Sequence, residues 1–110
     1  MQLDLKVWAY DISKAIEEIE TFLVDTPDYS SYQKDLKTRR AIERNLEIIG
    51  EAMNRMLNFS TDVNFTDSRK IVDTRNRIIH GYDTVSDEVI WSIISTNLKT
   101  LKIEISQFLT

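Results

Sequence analysis

The sequence predicts an all-α protein, an up-and-down bundle of four helices in a single domain that spans residues 1–110. Its 110 residues are 42% apolar, which suits one globular core and leaves no room for a second. Only two glycines and one proline are present, fewer turn residues than a many-stranded β-sandwich or barrel needs. Apolar residues recur instead at spacings of three and four, the period of a helix with one buried face. Four such helices joined by short loops bury these faces together.

The first predicted helix covers residues 2–24. Its apolar stripe consists of Leu5, Trp8, Ile12, Ala15, Ile16, Ile19, Phe22 and Leu23. Pro27 cannot continue a helix, and the turn-forming residues from 25 to 31 supply a loop with candidate N-caps. The chain is therefore expected to reverse here.

The second and longest helix is predicted over residues 31–58. Its apolar stripe consists of Ala41, Ile42, Ile49, Ala52, Met53, Met56 and Leu57. The helix contains Gly50, and a glycine inside a helix lowers stability by about 1 kcal/mol relative to alanine. We therefore expect another helix to approach closely at Gly50.

A polar interval over residues 58–66 precedes a shorter third helix. This helix is expected to begin near Thr66 or Asp67, which are both good N-cap residues, and to end near His80. Gly81 follows where helices favour a left-handed residue, a conformation that glycine adopts without a steric penalty.

The last helix is predicted to run from a cap among Asp83, Thr84 and Ser86 to the final residues. Asp87 and Glu88 fall in its first turn, where negative charge complements the positive end of the helix dipole. Its apolar stripe consists of Val89, Ile90, Ile93, Ile94, Leu98, Leu101, Ile105 and Phe108.

The composition excludes several kinds of site. Without cysteine the chain has no disulfide and no thiolate nucleophile, and its single histidine rules out a His/Cys zinc cluster within one chain. A metal site made of carboxylates alone stays open, but no residue pattern points to a metal or another cofactor. No apolar run approaches the roughly 20 residues of a membrane span, and no signal-peptide pattern is visible. We therefore expect a cytoplasmic protein with no membrane association.

The charge of the chain is unevenly distributed. The net charge of −4 argues against broad, non-specific adhesion to nucleic acid, because such adhesion depends on neutralising phosphates. All seven arginines nevertheless lie between Arg39 and Arg77. A guanidinium can hold a phosphate with two parallel hydrogen bonds, so a small phosphate site is compatible with the acidic whole. Solvated helix faces with ion pairs between neighbouring turns are the alternative.

Residues 75–82, Arg-Asn-Arg-Ile-Ile-His-Gly-Tyr, concentrate the unusual side chains of the sequence at the end of the third helix. Asn76 and His80 are four residues apart and share a helix face, whereas Arg75 is offset from His80 by about 140° and needs its long side chain to reach it. A histidine can transfer protons, and an arginine can stabilise negative charge. The alternative is structural: His80 caps helix carbonyls, and Arg75 pairs with Asp73 or with an acid on the long helix.

This segment resembles the R-x4-H-x-Y motif of HEPN domains, and in particular that of the HepT-like toxins paired with minimal nucleotidyltransferase antitoxins. The likeness includes the asparagine directly after the arginine. Upstream, residues 40–52 resemble the family's long helix with its Ile-Gly-Glu-Ala signature. Downstream, residues 83–94, which include Trp-Ser-Ile-Ile, resemble the helix that follows the motif. The resemblance covers nearly the whole chain.

The resemblance implies a metal-independent endoribonuclease toxin that acts as a homodimer, with two copies of the motif facing each other across a cleft. Arg75 and His80 carry over as catalytic residues, Asn76 as a supporting polar residue, and Tyr82 as the side chain that the nucleotidyltransferase partner modifies with AMP. RNA cleavage through the 2′-hydroxyl needs proton transfer and stabilisation of a charged phosphate oxygen, which His80 and Arg75 can supply. With one histidine per chain, separate imidazole acid and base roles need both subunits.

Two alternatives to a toxin nuclease stay open. One is a non-catalytic HEPN-like protein that binds, or is modified by, a nucleotidyltransferase, and the other is a purely structural helical dimer. Tyr82 has an alternative as well, which is to pack against the last helix.

A polar stripe on the long helix is a candidate lining for the cleft. Its members are Arg40, Arg44, Glu47, Glu51 and Asn54. Ordinary ion pairs between neighbouring turns explain the same spacing.

Overall fold

The computed structural model describes residues 3–80 and 85–110, and this part of the chain is helical throughout its regular structure. The helices are α1 (Leu3–Asp25), α2 (Tyr29–Lys34), α3 (Leu36–Phe59), α4 (Ser68–His80), α5 (Asp87–Ser92) and α6 (Leu98–Leu109), and a π-helical turn (Ile93–Asn97) joins the last two. Because the backbone at both junctions stays right-handed helical, α5, the π-helical turn and α6 form one continuous element. The predicted all-α bundle is confirmed.

The long helix α3 is central to the packing, since α1 lies along one side of it and α4 along another, while α6 packs against α1. Most residues of the three predicted apolar stripes are buried, whereas Val89 is exposed and a few others are only partly buried, namely Phe22, Leu23, Ala41 and Phe108. Ile12, Ile19, Ile49, Met53 and Leu101 are among the fully buried ones. Trp8 and Leu57 pack only at the edge of this core.

The predicted second helix begins differently from expectation, because Asp35 breaks it into α2 and α3. The backbone of Asp35 is not helical, and its carboxylate caps α3 by accepting from the backbone N–H of Thr38 at 3.0 Å and from its hydroxyl at 2.8 Å. The hydrogen bond from the backbone N–H of Thr38 is the main cause that lowers the pKa of Asp35, and the hydrogen bond from the Thr38 hydroxyl lowers it further. The break lets α2 turn inward, so that Tyr32 is fully buried with its ring 5.3 Å from that of Trp91. Burial raises the pKa of the Tyr32 phenol.

The third helix begins at Ser68, directly after the two predicted caps. Thr66 donates its backbone N–H and its hydroxyl to the carboxylate of Glu104. Asp67 adopts a left-handed backbone with φ of 59°, and its carboxylate accepts from the Asn97 amide at 2.7 Å. Both side chains thus tie the start of α4 to the last element of the chain instead of capping α4.

The last element begins with the predicted cap Ser86, whose hydroxyl accepts from the backbone N–H of Val89 at 3.2 Å. Asp83 and Thr84 lie outside the described residues, as does Gly81. The π-helical turn was not predicted. Within it the hydroxyls of Ser95 and Thr96 each donate to a backbone carbonyl four residues earlier, a pattern that bends helices.

Among the described helices, none is both long enough and apolar enough to cross a membrane.

Candidate active site

The site lies where α3 and α4 come closest, and Gly50 makes this approach possible. A Cβ atom built on Gly50 would lie 2.8 Å from Cγ of Arg75 and 3.3 Å from the carbonyl oxygen of Ile71, the first of these closer than non-bonded carbon atoms pack. Cβ of Arg75 would be closer still. The close approach expected at Gly50 is confirmed, and it sets the stem of Arg75 directly against the backbone of α3.

The guanidinium of Arg75 is held by two oxygen atoms. Its Nη2 pairs with Oε2 of Glu51 on α3, and its Nη1 donates to Oδ1 of Asn76 at 2.7 Å. Glu51 also accepts from Nε of Arg55 at 2.9 Å through its other oxygen. The side chain of Arg75 is 24% exposed, so the guanidinium is fixed in orientation but still reaches the surface. An arginine has five N–H groups, and these contacts leave one on each terminal nitrogen for a further acceptor.

Arg75 lines a surface groove of about 380 Å³ between α1, α3 and α4. The charged side chains in its wall are Arg44, Arg55 and Arg75, together with Asp11, Glu47 and Glu51. Three cations are thus matched by three carboxylates, and the groove has no excess of positive charge. Trp8 and Ile79 add apolar surface to it.

The structure divides the predicted cleft-lining stripe. Arg44, Glu47 and Glu51 line the groove, whereas Arg40 and Asn54 do not. Arg40 pairs with Glu43 at 3.1 Å, and Arg44 pairs with Glu47 at 3.2 Å, each over three residues of the same helix. The alternative of ordinary ion pairs therefore accounts for Arg40, while three members of the stripe occupy a cleft wall and pair at the same time.

His80 and Arg75 are presented differently by α4. His80 is exposed in the last turn of the helix and is not part of the groove wall, whereas Ile79 beside it is. Asn76 lies on the helix face of His80, as its spacing predicts, and its amide oxygen reaches back to Arg75. Asn76 therefore contacts Arg75, and no hydrogen bond joins it to His80 within the described residues. Tyr82 lies outside the described residues.

The structural alternative for Arg75 is realised in one respect, because Arg75 does pair with an acid on the long helix. That acid is Glu51, and no ion pair joins Arg75 to Asp73 within the described part of the chain.

Sequence reasoning missed six residues of the groove wall, of which Arg55, Asp11 and Trp8 are the polar or aromatic ones. The Arg55 side chain follows Glu51 by four residues, a spacing that carried a readable signal. Asp11 had no such signal. Trp8 was assigned to the core stripe, and the structure places it half-buried at the groove, edge-on to Phe59 with ring centres 5.6 Å apart.

No group of three or more histidine, aspartate or glutamate side chains suited to hold a metal ion is found within residues 3–80 and 85–110.

The helical bundle and the position of the Arg75–His80 segment define a protein of the HEPN class. Comparison with protein families gives a match to the family described as "Ribonuclease HepT-like" over residues 12–108. The chain belongs to the HepT-like ribonuclease family, and by this membership it is classed as an endoribonuclease.

Curated relatives agree with this assignment. Two proteins of Methanocaldococcus jannaschii are named, provisionally, as the RNases MJ0127 and MJ1380. MJ0127 is 30% identical to this chain over 83% of this chain and 75% of its own length. MJ1380 is 31% identical over 93% of this chain and 94% of its own length. A protein of Thermococcus cleftensis is 33% identical over 93% of each chain, and it has the provisional name ribonuclease HepT. No solved structure matches the chain.

Proposed function

We propose that this protein is a metal-independent endoribonuclease toxin, that its active site is built from Arg75 and His80 of both chains of a homodimer, and that a minimal nucleotidyltransferase antitoxin neutralises it. The observation that carries the proposal is the guanidinium of Arg75, held between Glu51 and Asn76 at the wall of a groove, five residues before an exposed histidine on the same helix. Family membership supplies the substrate class, which is RNA.

The chemistry follows from the two side chains. His80 moves a proton between the 2′-hydroxyl, the phosphate and the leaving 5′-oxygen, while Arg75 stabilises the negative charge that develops on the phosphate oxygens. Because Glu51 and Asn76 already orient the guanidinium, little reorganisation is needed in the transition state. Asn76 acts as a supporting residue through its contact with Arg75.

The placement of these side chains supports a dimeric site. Within one chain Arg75 belongs to the groove wall and His80 does not, and one chain has only one imidazole for both acid and base roles. Ile79, between them, is 48% exposed, an apolar surface that a second copy would cover. Two chains related by a two-fold axis would bring two histidines and two arginines to one cleft.

A purely structural role for residues 75–80 is the second candidate, and the ion pair between Arg75 and Glu51 favours it. Buried or half-buried pairs of this kind join helices without any catalytic purpose. The two roles differ in what removal of Arg75 would change, which is the catalytic rate in one case and stability alone in the other.

Purified protein incubated with RNA and excess chelator is expected to cleave it, leaving a 2′,3′-cyclic phosphate and a 5′-hydroxyl. These ends arise when the 2′-oxygen attacks the adjacent phosphorus and the 5′-oxygen leaves with a proton. Product ends are read by mass spectrometry and by their response to polynucleotide kinase. Loss of cleavage in chelator, or 5′-phosphate ends, would indicate a metal-dependent mechanism instead.

The regulatory part of the proposal concerns Tyr82. Coexpression with a cognate minimal nucleotidyltransferase is expected to transfer AMP from ATP to the Tyr82 hydroxyl with release of pyrophosphate. The bulk and negative charge of the new phosphodiester, two residues from His80, would compete for Arg75 and repel RNA. Intact mass and peptide mapping detect the adduct, and Tyr82→Phe should abolish it. Full cleavage activity of the modified protein would rule this regulation out.

A further inference from the structure

The outward face of α4 carries basic side chains that the groove does not use. Arg69, Lys70 and Arg77 are exposed there, together with Asp73 and His80. At 3.6 residues per turn these five side chains fall within about 100° of one another around the helix. Arg69, Lys70 and Arg77 are called the α4 strip below.

The arginines of the α4 strip differ from the others in their partners. Five arginines form ion pairs with carboxylates of the described residues, namely Arg39, Arg40, Arg44, Arg55 and Arg75. Arg69 and Arg77 form none with any residue in 3–80 or 85–110, although Asp73 lies four residues from each on the same helix. Both arginines are exposed, and no carboxylate of the described residues holds either guanidinium.

The α4 strip is aligned with His80. Arg69 and His80 are separated by about 16 Å along the helix axis and by only about 20° around it. Arg77 is one turn from His80 on the same side of α4. A ligand that follows the strip therefore arrives at the exposed imidazole.

Charge complementarity selects the kind of ligand. The groove wall contains equal numbers of cations and carboxylates, whereas the outward face of α4 has three cations and one carboxylate. In a chain with a net charge of −4, such a local excess is where a polyanion gains most from phosphate neutralisation. A flexible single strand can place successive phosphates along one helix face.

We propose that the α4 strip binds the phosphate backbone of the RNA substrate and leads it to His80. The strip thus supplies affinity, while Arg75 and His80 act on the scissile phosphate. This inference rests on the RNase function proposed above and assigns to it a binding surface outside the groove.

Binding is measured in the His80→Ala background, which removes cleavage and keeps the α4 strip. The probe is a fluorescein-labelled single-stranded oligouridylate, and its anisotropy is recorded over a range of salt concentrations. Changing Arg69 and Arg77 together to glutamine should weaken binding at least about tenfold, because two charge-assisted contacts are lost. The slope of log affinity against log salt should fall by about 1.4, or about 0.7 for each phosphate contact.

The matched control is the double variant Lys37→Gln, Lys102→Gln, which removes the same charge from other exposed positions and should keep affinity and slope. Circular dichroism and light scattering should give the same helix content and assembly for both variants, since exposed substitutions change stability little. In the enzyme that retains His80, the strip variant should raise KM and leave kcat unchanged, because backbone contacts are equal in the ground and transition states.

Equal affinity and equal salt slope in the two double variants would overturn the proposal that the α4 strip binds RNA. The RNase function would still stand if the wild type cleaves RNA. A wild type that neither binds nor cleaves RNA would refute both. Unchanged RNA binding together with lost binding of an acidic protein partner would assign the strip to that protein and overturn its role toward RNA.

Discussion

Replacing Arg75 with alanine is expected to slow RNA cleavage by about 10²–10³, the usual loss when one preorganised donor to a developing oxyanion is removed. The guanidinium is the group that Glu51 and Asn76 hold at the groove wall, and no other arginine has two side chains holding its guanidinium within the described residues. Single-turnover rates with saturating protein would measure the chemical step apart from substrate binding.

Two controls separate catalysis from packing for Arg75. Arg75→Lys keeps the charge but loses the planar fork, so it should recover little of the rate. Arg40→Ala removes the same charge from the N-terminal part of α3, outside the groove, where the Arg40 side chain is 65% exposed and pairs with Glu43. This variant should leave the cleavage rate unchanged. A wild-type rate for Arg75→Ala combined with a lowered Tm would establish the structural role and remove Arg75 from the catalytic residues.

The second large effect is expected at His80. His80→Ala should lower the cleavage rate by about 10²–10⁴, the range lost with a general acid or base. Because His80 is exposed at the end of α4, its removal should leave the Tm close to that of the wild type. Cleavage at the wild-type rate by the folded variant would refute an imidazole mechanism.

Mixed dimers test whether the site needs both histidines. When wild-type and His80→Ala chains are mixed in equal amounts and exchange freely, about a quarter of symmetric dimers carry two histidines. Activity near a quarter of the wild-type value would mean that both imidazoles serve one site. Activity near half would mean that each chain works alone, and a monomeric mass by light scattering would contradict the dimer directly.

The helical class and the buried stripes could be predicted because they depend on local order along the chain. Ile12, Ile49 and Ile105 each belong to an apolar stripe with helical spacing in their own helix, and all three are buried as expected. The cap at Ser86 and the close approach at Gly50 were also readable, since an N-cap and a helix-interior glycine have local signatures. The break at Asp35 had such a signature too, an aspartate three residues before Thr38, which the prediction of one helix from residue 31 overlooked.

Contacts between distant segments could not be predicted in this way. The cap role expected for Asp67 was replaced by a contact to Asn97, thirty residues away. The π-helical turn that presents Asn97 had no sequence signal. Trp8 and Asp11 became part of the groove only because α1 packs against α3. Each of these depends on which elements become neighbours, and spacing within one element does not contain that information.

The sequence by itself determined the helical class, the family likeness and the identity of Arg75, Asn76 and His80 as the residues to test, because composition, period and motif spacing are properties of the chain alone. Only the tertiary structure decided that Glu51, rather than another acid of the long helix, holds Arg75. The reason is steric: with no side chain on Gly50, α4 approaches α3 until the stem of Arg75 rests on it. The neighbouring carboxylate is then the acid within reach of the guanidinium.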